Sequence, residues 1–357
     1  DVAAAESRPK HISPSVVNSI SEVSADDWDA CALDATGPEK YNPFLSHGFL
    51  SSLEESSSAV KETGWMPRHI GAKDESGTVL GVVPLYLKSH SYGEFVFDHS
   101  WADAYYSYGS RYYPKYQCCV PFTPVTGPRI LLRDSLYKDQ VFDIVVDALR
   151  KILKAESRVS SVHITFSSEN EWQNHKEKGF LRRIGMQYHW TNRNYTCFDD
   201  FLMDMKQNKR KNMRQERKKI SAQNLTMKRL RGNEIKAKHW DSFYTFYRNT
   251  TDNKRRYYIW APLGLSPKAY YPNLHFEACY YQAIEAAIEL NLKTVEAGAQ
   301  GEHKIQRGYM PVPTYSYHYL LDEEFNKAIE EFVVREATQV KLVMNLIHDS
   351  GPFKEGI

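Results

Sequence analysis

The sequence predicts an α/β protein built from two related halves, and three observations carry that reading. Helical and strand-like segments alternate along the chain, as expected of mixed sheets covered by helices. A motif recurs without a gap at a fixed offset. A strongly basic segment stands where the second half begins.

The repeat comes first. Thr165-Phe166, Lys178-Gly179-Phe180-Leu181 and Gln187-Tyr188-His189-Trp190 match Thr294-Val295, Arg307-Gly308-Tyr309-Met310 and Ser316-Tyr317-His318-Tyr319. The offset is 129 residues, the same from Gly179 to Gly308 as from His189 to His318. Each stretch follows a helical segment, Ser135–Ala155 in one and Leu274–Leu290 in the other. In the second, Cys279, Tyr280, Ala283, Ala287 and Leu290 fall on one face at helical spacing. Trp28-Asp29 and Trp240-Asp241 each open a further helix-like stretch. They stand 151 and 68 residues before the shared glycines, so the second half is shorter in this interval. In the first half the interval holds a strand pair, His69–Ala72 and Val79–Leu87, around an Asp-Glu-Ser-Gly turn. It also holds the aromatic stretch from Tyr92 to Tyr116. The boundary is expected near Tyr195–Asp200, giving domains over 14–196 and 197–357.

The chain has 357 residues, 25% of them charged, 24 tyrosines and a formal net charge of +2. So balanced a charge argues neither for nor against a polyanionic partner, and any electrostatic case is local. Five cysteines (Cys31, Cys118, Cys119, Cys197, Cys279) form no CxxC pair. They predict a reducing compartment and argue against a disulfide framework or a cysteine zinc site. The thirteen histidines show no metal-ligand spacing, so no metal is expected. No apolar run reaches the roughly 18 residues of a membrane helix. A chain beginning at Asp1 is expected to be a fragment or a form whose leader has been removed. GxxxxGK[ST], GxSxG and HExxH are all missing, which argues against a P-loop NTPase, an α/β-hydrolase and a zincin.

Three segments are candidates for chemistry. The first is a basic helix over 202–221, with Lys206, Arg210, Arg214 and Arg217 in one stripe. It reads either as a solvated face or as a site for the phosphates of a nucleotide-bearing donor or an RNA backbone. The second is Glu296-Ala-Gly-Ala-Gln-Gly-Glu-His-Lys304 after a strand. Its small residues allow close backbone approach, and Gln300, Gly301, Glu302, His303 and Lys304 sit where α/β sheets bind ligands. An ordinary strand-to-helix turn is the alternative. The third runs from Phe95 to Tyr106, where Asp98, His99, Trp101, Asp103, Tyr105 and Tyr106 either line a pocket or form a strand with an aromatic seam against a core.

Glu296–Lys304 followed by Arg307-Gly-Tyr-Met-Pro311 resembles the C-terminal signature of a FemAB-like family of the GNAT superfamily, known from bacteria and plants. Leu274–Gln282, Phe122–Arg129 and Asp98–Tyr106 are similar to that family too. The resemblance implies two tandem GNAT-like domains and amide-forming group transfer, in which an amine attacks an activated acyl carbon. The acyl group is carried on coenzyme A as a co-substrate or, in the FemAB branch, on an aminoacyl-tRNA; no permanently bound cofactor is implied. The basic helix is similar to the Arg/Lys-rich helix of FemAB-type proteins, which makes Arg210 and Arg214 donor-binding candidates beside Gln300, Gly301, Lys304 and Arg307. Such chemistry needs a base within hydrogen-bond reach of the amine and a donor for the developing oxyanion. Glu302 or His303 is the candidate base, and Tyr309 the candidate acid for the leaving thiolate. Asp98, His99, Trp101 and Tyr105 are the candidate substrate pocket.

The sequence departs from the pattern twice. The Q/R-x-x-G-x-G/A loop that cradles the coenzyme A pyrophosphate is replaced at Glu296–Gly301, where Glu is first and Ala299 fourth. Arg255–Pro267 stands where family members carry a helix and a strand pair, so the second sheet is expected to lack central strands. N-acyl transfer from acyl-CoA is the first reading. Aminoacyl-tRNA-dependent transfer and non-catalytic ligand recognition by a degenerate fold are the others. The plant-like resemblance places the protein in the chloroplast, with the cytoplasm as the alternative.

Overall fold

The computed structural model describes residues 11–37, 41–174, 178–253 and 271–354. The chain forms two compact units that interleave along the sequence. The first comprises residues up to Gly185 together with Thr314–Val340. The second comprises Met186–Pro313 and Lys341 onward. A cut near residue 196 does not reproduce this division, because three long elements each serve both units. The strands Leu181–Thr191 and Met310–Leu320 and the helix Glu323–Asp349 all cross a boundary.

The first unit opens with β1 (Ile12–Val17), α1 (Ala25–Thr36) and α2 (His47–Glu55), then β2 (Trp65–Pro67), β3 (His69–Asp74), β4 (Val79–Val83) and β5 (Leu85–Lys88). Asp74 makes the β3–β4 turn by accepting from the N–H groups of Ser76 (3.0 Å) and Thr78 (2.9 Å). Pro84, which has no N–H to donate, stands between β4 and β5. Accordingly β4 pairs with β3 and β5 pairs with β2, so one hairpin feeds two sheets. α3 (His99–Ser107), β6 (Lys115–Cys118), β7 (Leu131–Leu132), α4 (Lys138–Ala155), β8 (Ser161–Ser167) and α5 (Glu169–Asn174) complete this part. One sheet runs β1-β3-β4-β7. The other runs β2-β5-β6-β8, with Tyr315–Leu320 antiparallel to β8. β6 and β8 are parallel. α4 buries Val141, Val145, Val146, Leu149 and Leu153, a stripe at helical spacing, against Ile70, Val162 and Ile164.

The second unit takes the end of β9 (Leu181–Thr191), then α6 (Phe198–Asp204), α7 (Gln207–Ser221), α8 (Ala237–Asn253), α9 (Leu274–Phe276), α10 (Gln282–Glu289), β10 (Thr294–Glu296) and the start of β11 (Met310–Leu320). α11 (Glu323–Asp349) closes the chain. β10 pairs antiparallel with β9, Glu296 opposite His189. The core gathers Trp190, Phe201, Met205, Met213, Tyr281, Ile284 and Tyr309.

The repeat is structural as well as sequential. β9 and β11 are both eleven residues long, and their ends keep the offset read from the glycines. Gly179 and Gly308, one residue before Phe180 and Tyr309, both take left-handed backbone (φ +79° and +85°) that a side chain disfavours. His189 Nε2 lies 3.0 Å from Gln187 Oε1, and His318 Nε2 lies 3.0 Å from Ser316 Oγ. Each histidine is thus held by the residue two places before it, at equivalent positions.

The basic segment is not one helix. Leu202 belongs to α6, and α7 starts at Gln207. Met205 between them pairs with Phe353, and Lys206 N–H donates to the Pro352 carbonyl at 2.8 Å. The helix around residue 280 buries Tyr280, Tyr281, Ile284, Ala287 and Ile288, whereas Leu290 is exposed. A π-helical turn over Glu277–Tyr281 causes the difference from even spacing. Its extra residue turns Glu277, Tyr280 and Tyr281 inward together. Arg255–Pro267, where central strands are expected to be missing, lies outside the described residues.

Candidate functional site

In the second unit, β10 hands the chain to a turn that two glycines make possible. Gly298 and Gly301 have φ of +72° and +102°. Ala297 N–H donates to the Tyr188 carbonyl and Tyr188 N–H to the Gly298 carbonyl, both at 2.9 Å. A 3₁₀ segment, Glu302–Arg307, follows and ends at Gly308. A Cβ at Gly301 would fall 2.5 Å from the His303 ring, so the glycine gives the imidazole its place.

His303 is the best-oriented group here. Its Nε2 lies 2.9 Å from the Tyr280 hydroxyl, and its ring packs on Tyr280, Phe276 and His275 at centroid distances of 5.5, 5.7 and 6.1 Å. The residue is exposed to solvent. Partial burial, then the Arg307 and Lys304 charges and His275, lower its pKa, which favours the neutral imidazole. Burial raises the Tyr280 phenol to about 12, so that group keeps its proton. Glu302 is exposed on the same turn. Gln300 is exposed ahead of it.

Two sequence expectations change here. Tyr309 has no exposed surface, and its hydroxyl donates to the Tyr280 carbonyl at 3.1 Å inside the core. Its hydroxyl is thus already engaged away from solvent, not presented to a leaving group. Lys304 and Arg307 face inward, not toward a solvent-borne phosphate. Lys304 Nζ donates to the Ala297 carbonyl at 2.5 Å, and burial lowers its pKa to about 8. Arg307 donates to the His303 carbonyl (2.8 Å) and to both Glu216 oxygens (2.9 and 3.1 Å). Its guanidinium lies 3.4 Å over the Phe276 ring.

Part of the α7 stripe is likewise neutralised from within. Arg217 bridges Glu277 (3.0 and 3.1 Å) and Glu285 (2.6 Å). Arg214 donates to Asp199 at 3.0 Å on the surface, and Arg210 to the Met203 sulfur at 3.5 Å. Lys211, Lys218 and Lys219 are exposed.

In the first unit, the expected substrate pocket is core. Asp98 leads into α3, a helix and not a strand, and Asp98, Trp101 and Tyr105 are all at least nine-tenths buried; His99 alone of the four is half-buried. Asp98 accepts from Lys115 Nζ (2.5 Å) and the Tyr112 hydroxyl (2.7 Å), and Lys115 also donates to Glu94 (2.7 Å). Tyr112 OH lies 3.2 Å from His163 Nε2, and His163 Nδ1 lies 2.7 Å from His318 Nδ1. Lys88 Nζ stands 3.7 Å from Glu94 and 3.2 Å over the Trp65 ring. Burial raises Glu94 to about 7 and lowers Lys88 to about 7 and His163 to about 3. Sequence reasoning missed Glu94, Lys115, His163 and His318 as partners, since the last three come from three separate strands and Glu94 from the loop between β5 and α3. Strand pairing brings Lys115, His163 and His318 together, and Lys115 then draws in Glu94.

The first unit also carries an open cleft of about 810 Å³, lined among others by Ile130, Phe142, Lys138, Asn170, Asn174 and Lys178. Among the described residues no group of three or more His, Cys, Asp or Glu side chains could hold a metal ion. No helix there is long and apolar enough to cross a membrane.

No curated protein matches this sequence. Solved structures with local similarity include a putative acetyltransferase from Acinetobacter baylyi, at 12% identity and TM-score 0.31, with 51% of this chain and 84% of that one covered. A phosphinothricin acetyltransferase from Sinorhizobium meliloti, in complex with AcCoA, matches at 12% identity and TM-score 0.29, covering 51% and 79%. A glucosamine N-acetyltransferase region of a fungal multi-domain β-N-acetylglucosaminidase covers 87% of this chain and 38% of that one, at 9% identity and TM-score 0.39. The family model described as FemAB-like, peptidoglycan biosynthesis/recognition, matches residues 19–262 and 266–355. The chain belongs to the FemAB-like family.

Proposed function

We propose that the protein is an N-acyltransferase that moves an acyl group from acyl-CoA to an amine acceptor, with His303 as the base. The observation that carries the role of His303 is its geometry. The imidazole is fixed by the Tyr280 hydroxyl at 2.9 Å and seated against Gly301, on a residue that is exposed to solvent. In the reaction the amine nitrogen attacks the acyl carbonyl carbon and the C–N bond forms. The C–S bond to coenzyme A then breaks, and the proton lost by the amine passes to His303. Family membership supports group transfer of this general kind. Glu302, exposed on the same turn, is placed to help orient the ammonium form of the acceptor before it is deprotonated.

The basic face of α7 supports a second reading, transfer from an aminoacyl-tRNA. Lys211, Lys218 and Lys219 are exposed there, and Arg214 is only partly covered by Asp199. Strong binding to tRNA that weakens steeply with salt would favour it.

The experiment is product detection by mass spectrometry with a panel of acyl-CoAs and amines, comparing wild type with His303→Gln and Glu302→Gln. A loss of about 100-fold or more in kcat for His303→Gln is expected, the size typical of a positioned base. Near-normal turnover in His303→Gln would remove this residue from the mechanism.

A further inference from the structure

The Arg307 guanidinium is over-determined for a surface cation. Its Nη1 grips the His303 carbonyl at 2.8 Å, its Nη2 meets both Glu216 oxygens, and its plane lies 3.4 Å over Phe276. Only 8% of the side chain is exposed. Glu216 is itself fixed, because it also accepts from the Tyr281 hydroxyl. Phe276 in turn packs on the His303 ring. Arg307 thus reaches His303 twice, through the backbone carbonyl and through the ring that both of them touch.

We propose that Glu216 and Arg307 form a positioning pair that fixes the orientation of His303. The proposal rests on the role given to His303 above, and it places Arg307 outside the donor-binding set. The sequence explains the arrangement. Arg307 stands four residues after His303, so one 3₁₀ segment brings its side chain back under the His303 carbonyl. The π-helical turn at Glu277–Tyr281 turns Tyr280 and Tyr281 inward side by side. Tyr280 then serves His303, while Tyr281 serves Glu216. Arginine is required here because its planar fork donates to two acceptors while stacking on an aromatic face, which an ammonium cannot do.

The groups that act electrostatically on His303 are Arg307, Lys304 and His275, with the Tyr280 phenol bonded to it. Removing the Arg307 charge therefore raises the pKa of His303, whereas Arg307→Lys retains a charge and loses the fork. The test follows the His303 ring signal by NMR through a pH titration in wild type, Arg307→Met and Arg307→Lys, together with kcat and KM. Arg307→Met is expected to raise the His303 pKa and to move the acidic limb of the kcat profile upward with it. Arg307→Lys is expected to titrate close to wild type yet lose about 100-fold in kcat, as for a misplacement of about 1 Å, with KM unchanged. Glu216→Gln, which frees the fork from its carboxylate, should lower kcat in the same way without raising the His303 pKa. The NMR titration needs no turnover, so it reports on the pair even if His303→Gln proves fully active. Unaltered contacts of the His303 ring with Tyr280 and Phe276 in Arg307→Lys, read from the same NMR spectra, would overturn the proposal. So would a kcat for Arg307→Lys equal to wild type, and that variant keeps the test open should Arg307→Met fail to fold.

Discussion

Replacing Lys115 by methionine isolates the buried charges of the first unit. The Lys115 ammonium has 1% of its side chain exposed and bonds Asp98 and Glu94, whose side chains are 3% and 1% exposed. Burial opposes the charge on Asp98, but Lys115 and His163 hold its carboxyl well below the usual range. Methionine keeps the volume and removes the cation, leaving Asp98 charged in a dry site. Breaking one partner out of a buried pair costs about 3–5 kcal/mol. Lys88, 3.7 Å from Glu94, offsets only the Glu94 side. In wild type the depressed Asp98 pKa gives stability that is complete above its unfolded value of about 3.9 and is lost as pH falls through the folded one. In Lys115→Met the sign reverses. The folded-state pKa of Asp98 then lies above the unfolded value, so the folded state binds more protons and the variant gains stability from pH 7 to pH 5. Urea unfolding followed by tryptophan fluorescence at both pH values reads this directly. Adding Asp98→Asn to Lys115→Met should recover much of the loss at pH 7. A cost under about 1 kcal/mol, or a variant that loses stability on acidification, would refute the reasoning.

Two further outcomes follow from packing and exposure. Gly179→Ala should cost about 1–2 kcal/mol through backbone strain alone, since a Cβ there meets nothing nearer than Tyr319 at 3.9 Å. Gly308→Ala should cost more, because its Cβ would stand 2.8 Å from Phe201; equal losses in urea unfolding would contradict the packing of that ring. Cys31, Cys118 and Cys119 are buried, and burial pushes the Cys31 and Cys279 thiols up to about 11 and Cys119 to about 12. In the native protein a thiol reagent should therefore label exposed Cys197 first and half-buried Cys279 far more slowly, with the three buried thiols reacting only on unfolding. Rapid labelling of a second thiol, located by peptide mapping, would contradict this.

What the sequence showed and what it hid have separable causes. The offset between Gly179 and Gly308 was legible because a left-handed position before a long strand needs glycine in both copies. The β3–β4 turn was legible because Asp74 and Gly77 are local signals. The interleaved units were not, since the return of Thr314–Val340 to the first unit depends on pairing with β8, far away in sequence. For Asp98 the sequence left open a pocket or packing against a core, and the structure buries it. A buried aspartate looks the same in sequence whether it awaits a substrate or already holds Lys115. The sequence motif around Glu302–Arg307 reads as if Lys304 and Arg307 reach outward to a donor. The short 3₁₀ segment turns both inward, and spacing alone does not distinguish it from an α-helical turn.

Donor binding tests the central claim most directly, by thermal unfolding with acetyl-CoA, longer acyl-CoAs and bulk tRNA. A ligand that binds only the folded state adds about 2.7 kcal/mol at a hundred times its dissociation constant. Acyl transfer from coenzyme A predicts a raised midpoint with at least one acyl-CoA and none with tRNA. A cooperative transition that no acyl-CoA moves would contradict the account.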